Sequence, residues 1–188
     1  MMKNKDGKAH VKVFRFDPTQ DKKPKYQTYD VPLEGSVLDA LQYIYEHYDS
    51  SLAFRFGCSG ASYERCGACS VVVNGQPALT CRRLVERAMT VEPHPKFQVI
   101  RDLVVDFDKE QKTGKKITSS VKISIDLDKC TACRDCVLLC PVKVFEIRKV
   151  GSKGKAVATD PASCCGQTCK QCATFCTNGA IRLTSVKK

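Results

Sequence analysis

Cys130-Thr-Ala-Cys133-Arg-Asp-Cys136-Val-Leu-Leu-Cys140-Pro141 is the stretch on which the reading of this chain turns. Its gaps of two, two and three residues are those by which thiolates serve cubane iron–sulfur cores. Three sulfurs at this spacing wrap one face of a cube, and the sulfur after the longer gap points away toward a second cube. Pro141 fixes its own φ and donates no backbone hydrogen bond, so it turns the chain off the site. Zinc and plain buried thiols are the plainer alternatives, and the rhythm of the run with its closing proline favours clusters over both.

A second set follows at Cys164, Cys165, Cys169, Cys172 and Cys176. Read backwards from Cys176, the gaps to Cys172 and Cys169 repeat those of the first run. The next cysteine back is one residue too far (Cys165) or two (Cys164), and Thr177 stands where the first run has Pro141. The two runs form a loosened pseudo-repeat. The expected cross-ligation joins Cys130, Cys133 and Cys136 with Cys176 in one [4Fe-4S] core. The other core takes Cys140, Cys169 and Cys172 with Cys165, or with Cys164 in its place.

The chain has 188 residues, enough for one or two domains of modest core. Thirteen cysteines would suit a disulfide scaffold in a small secreted chain. The start Met1-Met2-Lys3-Asn4-Lys5-Asp6 has no apolar segment of a signal peptide, the count is odd, and tight C-x2-C pairs suit metal better than bridges. Reduced thiols point to a reducing compartment, most simply the cytoplasm. No apolar run reaches the length needed to span a bilayer, so any membrane attachment is expected through another subunit. The formal net charge of +11 invites a nucleic-acid reading. Three oxidised clusters with their thiolates carry about −2 each and bring the loaded protein to roughly +5. The basic residues are scattered, which suits a docking face for an acidic partner better than a nucleic-acid stripe.

Ahead of these runs the pattern changes. His10–Phe16 alternates and reads as a strand, Asp17-Pro18 opens a turn, and Tyr26–Leu33 reads as the returning strand of a hairpin. Ser36 is a plausible N-cap with Asp39 in the first turn. Val37, Leu38, Leu41, Ile44, Tyr45 and Tyr48 then recur at helical spacing, the tyrosines being read as core. Ser70–Val73 and Ala78–Cys81 flank Asn74-Gly75, a strong hairpin turn. Arg82–Ala88 reads as a helical turn and Met89–Glu92 as a strand, while Val99–Phe107 fits helix or strand. His94, between two prolines, reads as a surface residue rather than a ligand. Asp108–Ser120, rich in lysine and hydroxyl residues, is the candidate linker. Val121–Leu127 is expected to pair with Ala180–Leu183, and Val142–Lys149 with Ala156–Thr159.

A third thiol set, Cys58-x7-Cys66-x2-Cys69-x11-Cys81, is similar to the C-x4-C-x2-C…C pattern of plant-type [2Fe-2S] proteins, with a longer first gap. Small residues surround these thiols, as needed where backbone closes over a cluster. The first 108 residues resemble the iron–sulfur subunits of succinate dehydrogenases and fumarate reductases. The motifs that carry this are Phe14-Arg-Phe-Asp-Pro18, Val37-Leu-Asp-Ala-Leu41, Leu52-Ala-Phe-Arg55, Cys66-Gly-Ala-Cys69, Asn74-Gly75, Cys81, Val91-Glu-Pro93 and Val99-Ile-Arg-Asp-Leu-Val-Val-Asp106. The resemblance implies a β-grasp [2Fe-2S] domain that docks on an FAD-containing dehydrogenase or reductase subunit. The remainder departs from that family and reads as a compact bacterial-type dicluster ferredoxin. The expected fold is therefore α+β, with a β-grasp [2Fe-2S] domain over 9–107, a linker over 108–120 and a 2[4Fe-4S] ferredoxin-like domain over 121–188.

These readings lead to an expectation of electron transfer, with one [2Fe-2S] and two [4Fe-4S] clusters carrying single electrons between a flavin subunit and a second redox partner. No nucleophile–base set stands out, so chemistry on an organic substrate is expected in a partner, and no quinone site is assigned. A free-standing ferredoxin-type carrier is the alternative, distinguished by the absence of a co-purifying flavoprotein. A zinc-stabilised module is a third reading, distinguished by colour and acid-labile sulfide.

Overall fold

A computed structural model describes residues 7–57, 67–111, 113–115 and 117–186. Strands β1 (Lys8–Arg15) and β2 (Lys25–Pro32) form the expected antiparallel hairpin. Alternate β1 residues Ala9, Val11 and Val13 are fully buried, and this fixes its register against the core. Helix α1 (Val37–His47) starts at Ser36, whose hydroxyl accepts the Asp39 N–H while the Asp39 carboxylate accepts the Ser36 N–H. This reciprocal capping satisfies two donors that the first turn would leave unpaired.

Val37, Ala40, Leu41 and Ile44 make the buried stripe of α1. Tyr45 and Tyr48 do not belong to it. Both are exposed, lying beyond the edge of the stripe, with their rings edge-on to Phe54 and Tyr29. The expectation that they pack in the core is thus corrected.

Strands β3 (Ser70–Val73) and β4 (Gln76–Leu79) are joined by Asn74 and Gly75, both at positive φ as a tight hairpin turn requires. The expected helical turn after Cys81 is not formed. The N–H groups of Arg82 and Arg83 close one turn on the Leu79 carbonyl, and the chain then extends, with Leu84 bridging to Ser36. That bridge ties the segment to the N-terminus of α1 and feeds it into β5 (Ala88–Pro93). The sheet has the order β2-β1-β5-β3-β4, with β1 and β5 parallel, and α1 packs against its core.

Val99–Phe107 resolves into a hairpin. β6 (Phe97–Arg101) and β7 (Val104–Glu110) are antiparallel around a turn at Asp102, whose φ is +46°. Asp102 is buried because its carboxylate is fully used. One oxygen accepts from Phe16 N–H at 2.9 Å and Arg15 Nε at 3.1 Å, and the other accepts from Ala53 N–H at 2.9 Å. Arg15 is buried with it and also donates to Tyr29, Asp49 and Ser51. Burial alone would lower the Arg15 pKa, but these acceptors raise it above its ordinary value. The network pins the segment that runs from Leu52 toward Cys58.

β7 continues to Glu110, and the connector beyond it is held in place. Lys115 pairs with Glu92, and Thr118 N–H reaches the Gly75 carbonyl at 3.4 Å. In the second half, β8 (Val121–Ile125) pairs with β11 (Ile181–Ser185), and β9 (Phe145–Val150) with β10 (Lys153–Ala158), as the alternation predicts. Two short helices, α2 (Asp135–Leu138) and α3 (Gln171–Thr174), stand in the two cysteine runs. One hydrophobic cluster spans both halves, bringing Cys69, Leu79, Phe97 and Val105 together with Val142, Phe145, Cys165 and Ile181.

Candidate iron–sulfur nests

The chain turns around each cysteine run in the same way. α2 and α3 each follow a left-handed residue, Arg134 at φ +74° and Lys170 at φ +57°. Successive right- and left-handed residues point backbone N–H groups into a concavity suited to negative charge. The repeat continues after each run, where Val144 N–H reaches Cys140 Sγ and Ala180 N–H reaches Cys176 Sγ, both at 3.3 Å. The sequence repeat is therefore also a repeat of wiring.

Cys130, Cys133, Cys136 and Cys176 line one cavity. Its walls include the small side chains of Ala132, Ala156 and Ala180, and Ala156 N–H reaches Cys130 Sγ at 3.4 Å. Burial pushes the Cys136 thiol up to about 11, and the neighbouring Cys133, Cys130 and Cys176 add to the rise. Cys133 is exposed, so this nest opens to solvent.

Cys140, Cys164, Cys165, Cys169 and Cys172 line a second cavity walled by Val142, Phe145 and Leu183. Cys164, Cys165, Cys169 and Cys172 are buried. Burial, followed by Cys164, Cys140 and Cys169, pushes the Cys172 thiol up to about 12. Burial likewise raises Cys140 and takes Cys164 to about 11. Such thiols give up protons only to a strong positive partner, so loading with metal would release protons here. Among the described residues no three His, Cys, Asp or Glu side chains converge tightly enough to hold a single metal ion. The thiols of each nest stand around a space instead. That donor set fits an iron–sulfur core, with thiolates outside and N–H groups aimed at sulfur.

Cys69 and Cys81 bring their sulfurs to 3.4 Å, beyond the roughly 2.05 Å of a disulfide. Cys58 and Cys66 lie outside the described residues. Gly67 stands against the second nest at φ +71°, where an added Cβ would lie 2.2 Å from Pro141 Cβ. Only glycine allows this approach of the Cys69 loop to Pro141.

His94 is not a surface residue. It is fully buried between the halves, hydrogen-bonding the Ser163 carbonyl through Nε2 at 3.4 Å and accepting Lys96 N–H at Nδ1 at 3.3 Å. Its ring packs on Phe97, whose other neighbour is Phe107. The flanking prolines suggested exposure, but they end β5 where the second half covers it. Lys96, also unremarked in the sequence, donates to the Val142 and Lys143 carbonyls at 3.1 and 2.9 Å and pairs with Asp160 at 3.0 Å.

Residues 10–112 match the family of 2Fe-2S iron-sulfur cluster binding domains, and residues 123–146 match that of 4Fe-4S binding domains. Among curated relatives, a subunit of the fumarate reductase (CoM/CoB) of Methanothermobacter marburgensis is 31% identical, covering 89% of this chain and 40% of that protein. The fumarate reductase iron-sulfur subunit of Wolinella succinogenes is 30% identical, covering 77% of this chain and 71% of the relative. A chain of the apo Sdh1 complex of Mycobacterium smegmatis is 32% identical, with a TM-score of 0.44 over 53% of this chain and 42% of that one. The chain spans 29% to 40% of the length of the first curated relatives it matches.

Proposed function

The chain belongs to the fumarate reductase and succinate dehydrogenase iron–sulfur subunit family through its 2Fe-2S cluster binding domain, and from that premise we propose that it is the electron-transfer subunit of a flavoprotein oxidoreductase complex. It relays single electrons between an FAD-bearing subunit and a second redox partner. The five-stranded sheet with α1 is read as a β-grasp, and the second half as a dicluster ferredoxin domain. The observation that carries this is the adjacency of the Cys69/Cys81 pair and the two nests: the outer nest shares α2–α3 packing with the inner nest, and the inner nest lies against the Cys69 loop.

The proposed ligands are Cys58, Cys66, Cys69 and Cys81 for [2Fe-2S]. Cys130, Cys133, Cys136 and Cys176 hold the outer [4Fe-4S] core. Cys140, Cys169, Cys172 and one of Cys164 and Cys165 hold the inner one. Bound clusters supply one-electron exchange. The chain's own residues do the rest. The N–H groups of Val144, Ala156 and Ala180 stabilise negative sulfur and so favour the reduced state. Val142, Phe145 and Leu183 keep water from the inner nest. The order is Cys69/Cys81, then the inner nest, then the outer nest, where Cys133 is exposed to solvent.

No helix among the described residues is long and apolar enough to cross a membrane. We place the protein in the cytoplasm, with any membrane contact made through a partner, and assign it no nucleic-acid role. The test is anaerobic purification with its native partners. About ten iron atoms per chain, both cluster types by electron paramagnetic resonance and a flavoprotein in fixed ratio are expected. Colourless protein holding zinc without acid-labile sulfide would refute the reading.

A further inference from the structure

The inner nest has five cysteines for a core that takes four. Their hydrogen bonds separate the adjacent pair. Cys164 Sγ accepts the Gly166 N–H at 3.4 Å, as Cys140, Cys130 and Cys176 each accept a backbone N–H. Gly166 presents that N–H at φ +60°, with Ser120 and Val121 so close that a Cβ would meet both at 3.3 Å.

Cys165 is engaged differently. Its Sγ lies 3.8 Å from Ser70 Oγ. The single hydroxyl hydrogen of Ser70 goes to the Gly67 carbonyl at 2.6 Å. That hydrogen is therefore committed elsewhere, and the contact is one in which the Cys165 S–H faces Ser70 Oγ as acceptor. The backbone of Cys165 is tied to the same loop system. Its carbonyl accepts the Thr168 hydroxyl at 2.5 Å, and Thr168 Oγ1 accepts Leu79 N–H at 3.3 Å. Ser70 follows Cys69 and Leu79 lies just before Cys81, so the Cys165 turn is fastened beside both sulfurs.

We propose that Cys164 is the fourth ligand of the inner core, and that Cys165 is a positioning residue that fastens this nest to the Cys69/Cys81 loop. This reverses the preference that spacing alone gives to Cys165, and it rests on the cluster reading above. Two observations agree with it. Cys165 is more deeply buried than Cys164. Ser70 is itself buried, so no water competes for the contact.

The test compares Cys164→Ala, Cys165→Ala and Cys165→Ser with the unaltered chain, all purified anaerobically. Iron, acid-labile sulfide, paramagnetic resonance and the midpoint potential of the [2Fe-2S] signal are measured. Cys164→Ala is expected to lose iron from one cubane and keep the other two signals. Both Cys165 variants are expected to keep the full iron count. Cys165→Ala is expected to shift the [2Fe-2S] potential through Ser70, and Cys165→Ser, which can still donate, to restore it. Cubane iron lost from Cys165→Ala but not from Cys164→Ala would overturn the proposal, as would loss from both or from neither. An unshifted potential in Cys165→Ala would overturn the positioning role. Unaltered protein without cubane iron would instead sink the cluster reading itself.

Discussion

His94 makes the junction between the two halves sensitive to acid. Burial takes its pKa from 6.5 down to about 4, only partly opposed by the Ser163 carbonyl. Nδ1 already accepts the Lys96 N–H, so a proton there would break that bond inside an apolar wall of Phe97. The sign is fixed by proton counting. Between the two pKa values the unfolded chain holds a proton that the folded chain does not, so stability falls as pH falls. The loss begins near pH 6.5, amounts to about 1.4 kcal/mol at pH 5.5, and reaches about 3.4 kcal/mol below pH 4. His94→Gln keeps a donor for the Ser163 carbonyl and removes the titration. Anaerobic urea unfolding of the loaded protein, followed by circular dichroism at pH 7.5 and 5.5, measures the difference. The unaltered protein should lose about 1.4 kcal/mol more than His94→Gln over that interval. Equal losses in the two proteins would refute the assignment of a neutral, buried imidazole.

Asp102→Ala leaves Arg15 buried with part of its shell missing and should cost about 3–5 kcal/mol, read as a lower urea midpoint. Asp102→Asn, which tolerates the positive φ, should recover part of it. Gly67→Ala combines an unfavourable backbone region with a clash on Pro141, and should destabilise by about 2–4 kcal/mol by the same assay. Cys69→Ser should abolish the [2Fe-2S] resonance and leave the cubane signals. Loss of all signals together would show that the nests do not load independently.

The elements that follow a simple period were legible in the sequence. β1 and β2 alternate, Ser36 and Asp39 carry their cap, and Asn74-Gly75 names its own turn. The partition of thiols into two nests was legible too, because the C-x2-C-x2-C-x3-C rhythm itself states which sulfurs diverge. What stayed hidden depends on partners far apart in the chain. Alternation puts Arg15 on the inward face of β1 with Val11 and Val13, but it does not show what could hold a charge there; Asp102, 87 positions away, does. His94 and Lys96 lie in a polar-looking, proline-rich stretch, and the covering second half is what buries His94 and gives Lys96 its partners. Spacing leaned to Cys165 over Cys164, because the contact that tells them apart is with Ser70, a residue of the other half.

The difference in cover between the two cubane nests has a consequence for how the protein ages. Cys133 stands at the surface, whereas Cys164, Cys165, Cys169 and Cys172 are sealed. Dioxygen and peroxide therefore meet the outer nest before the inner one. Damage in air should reach the outer nest first, and a partly bleached sample would still hold the inner core.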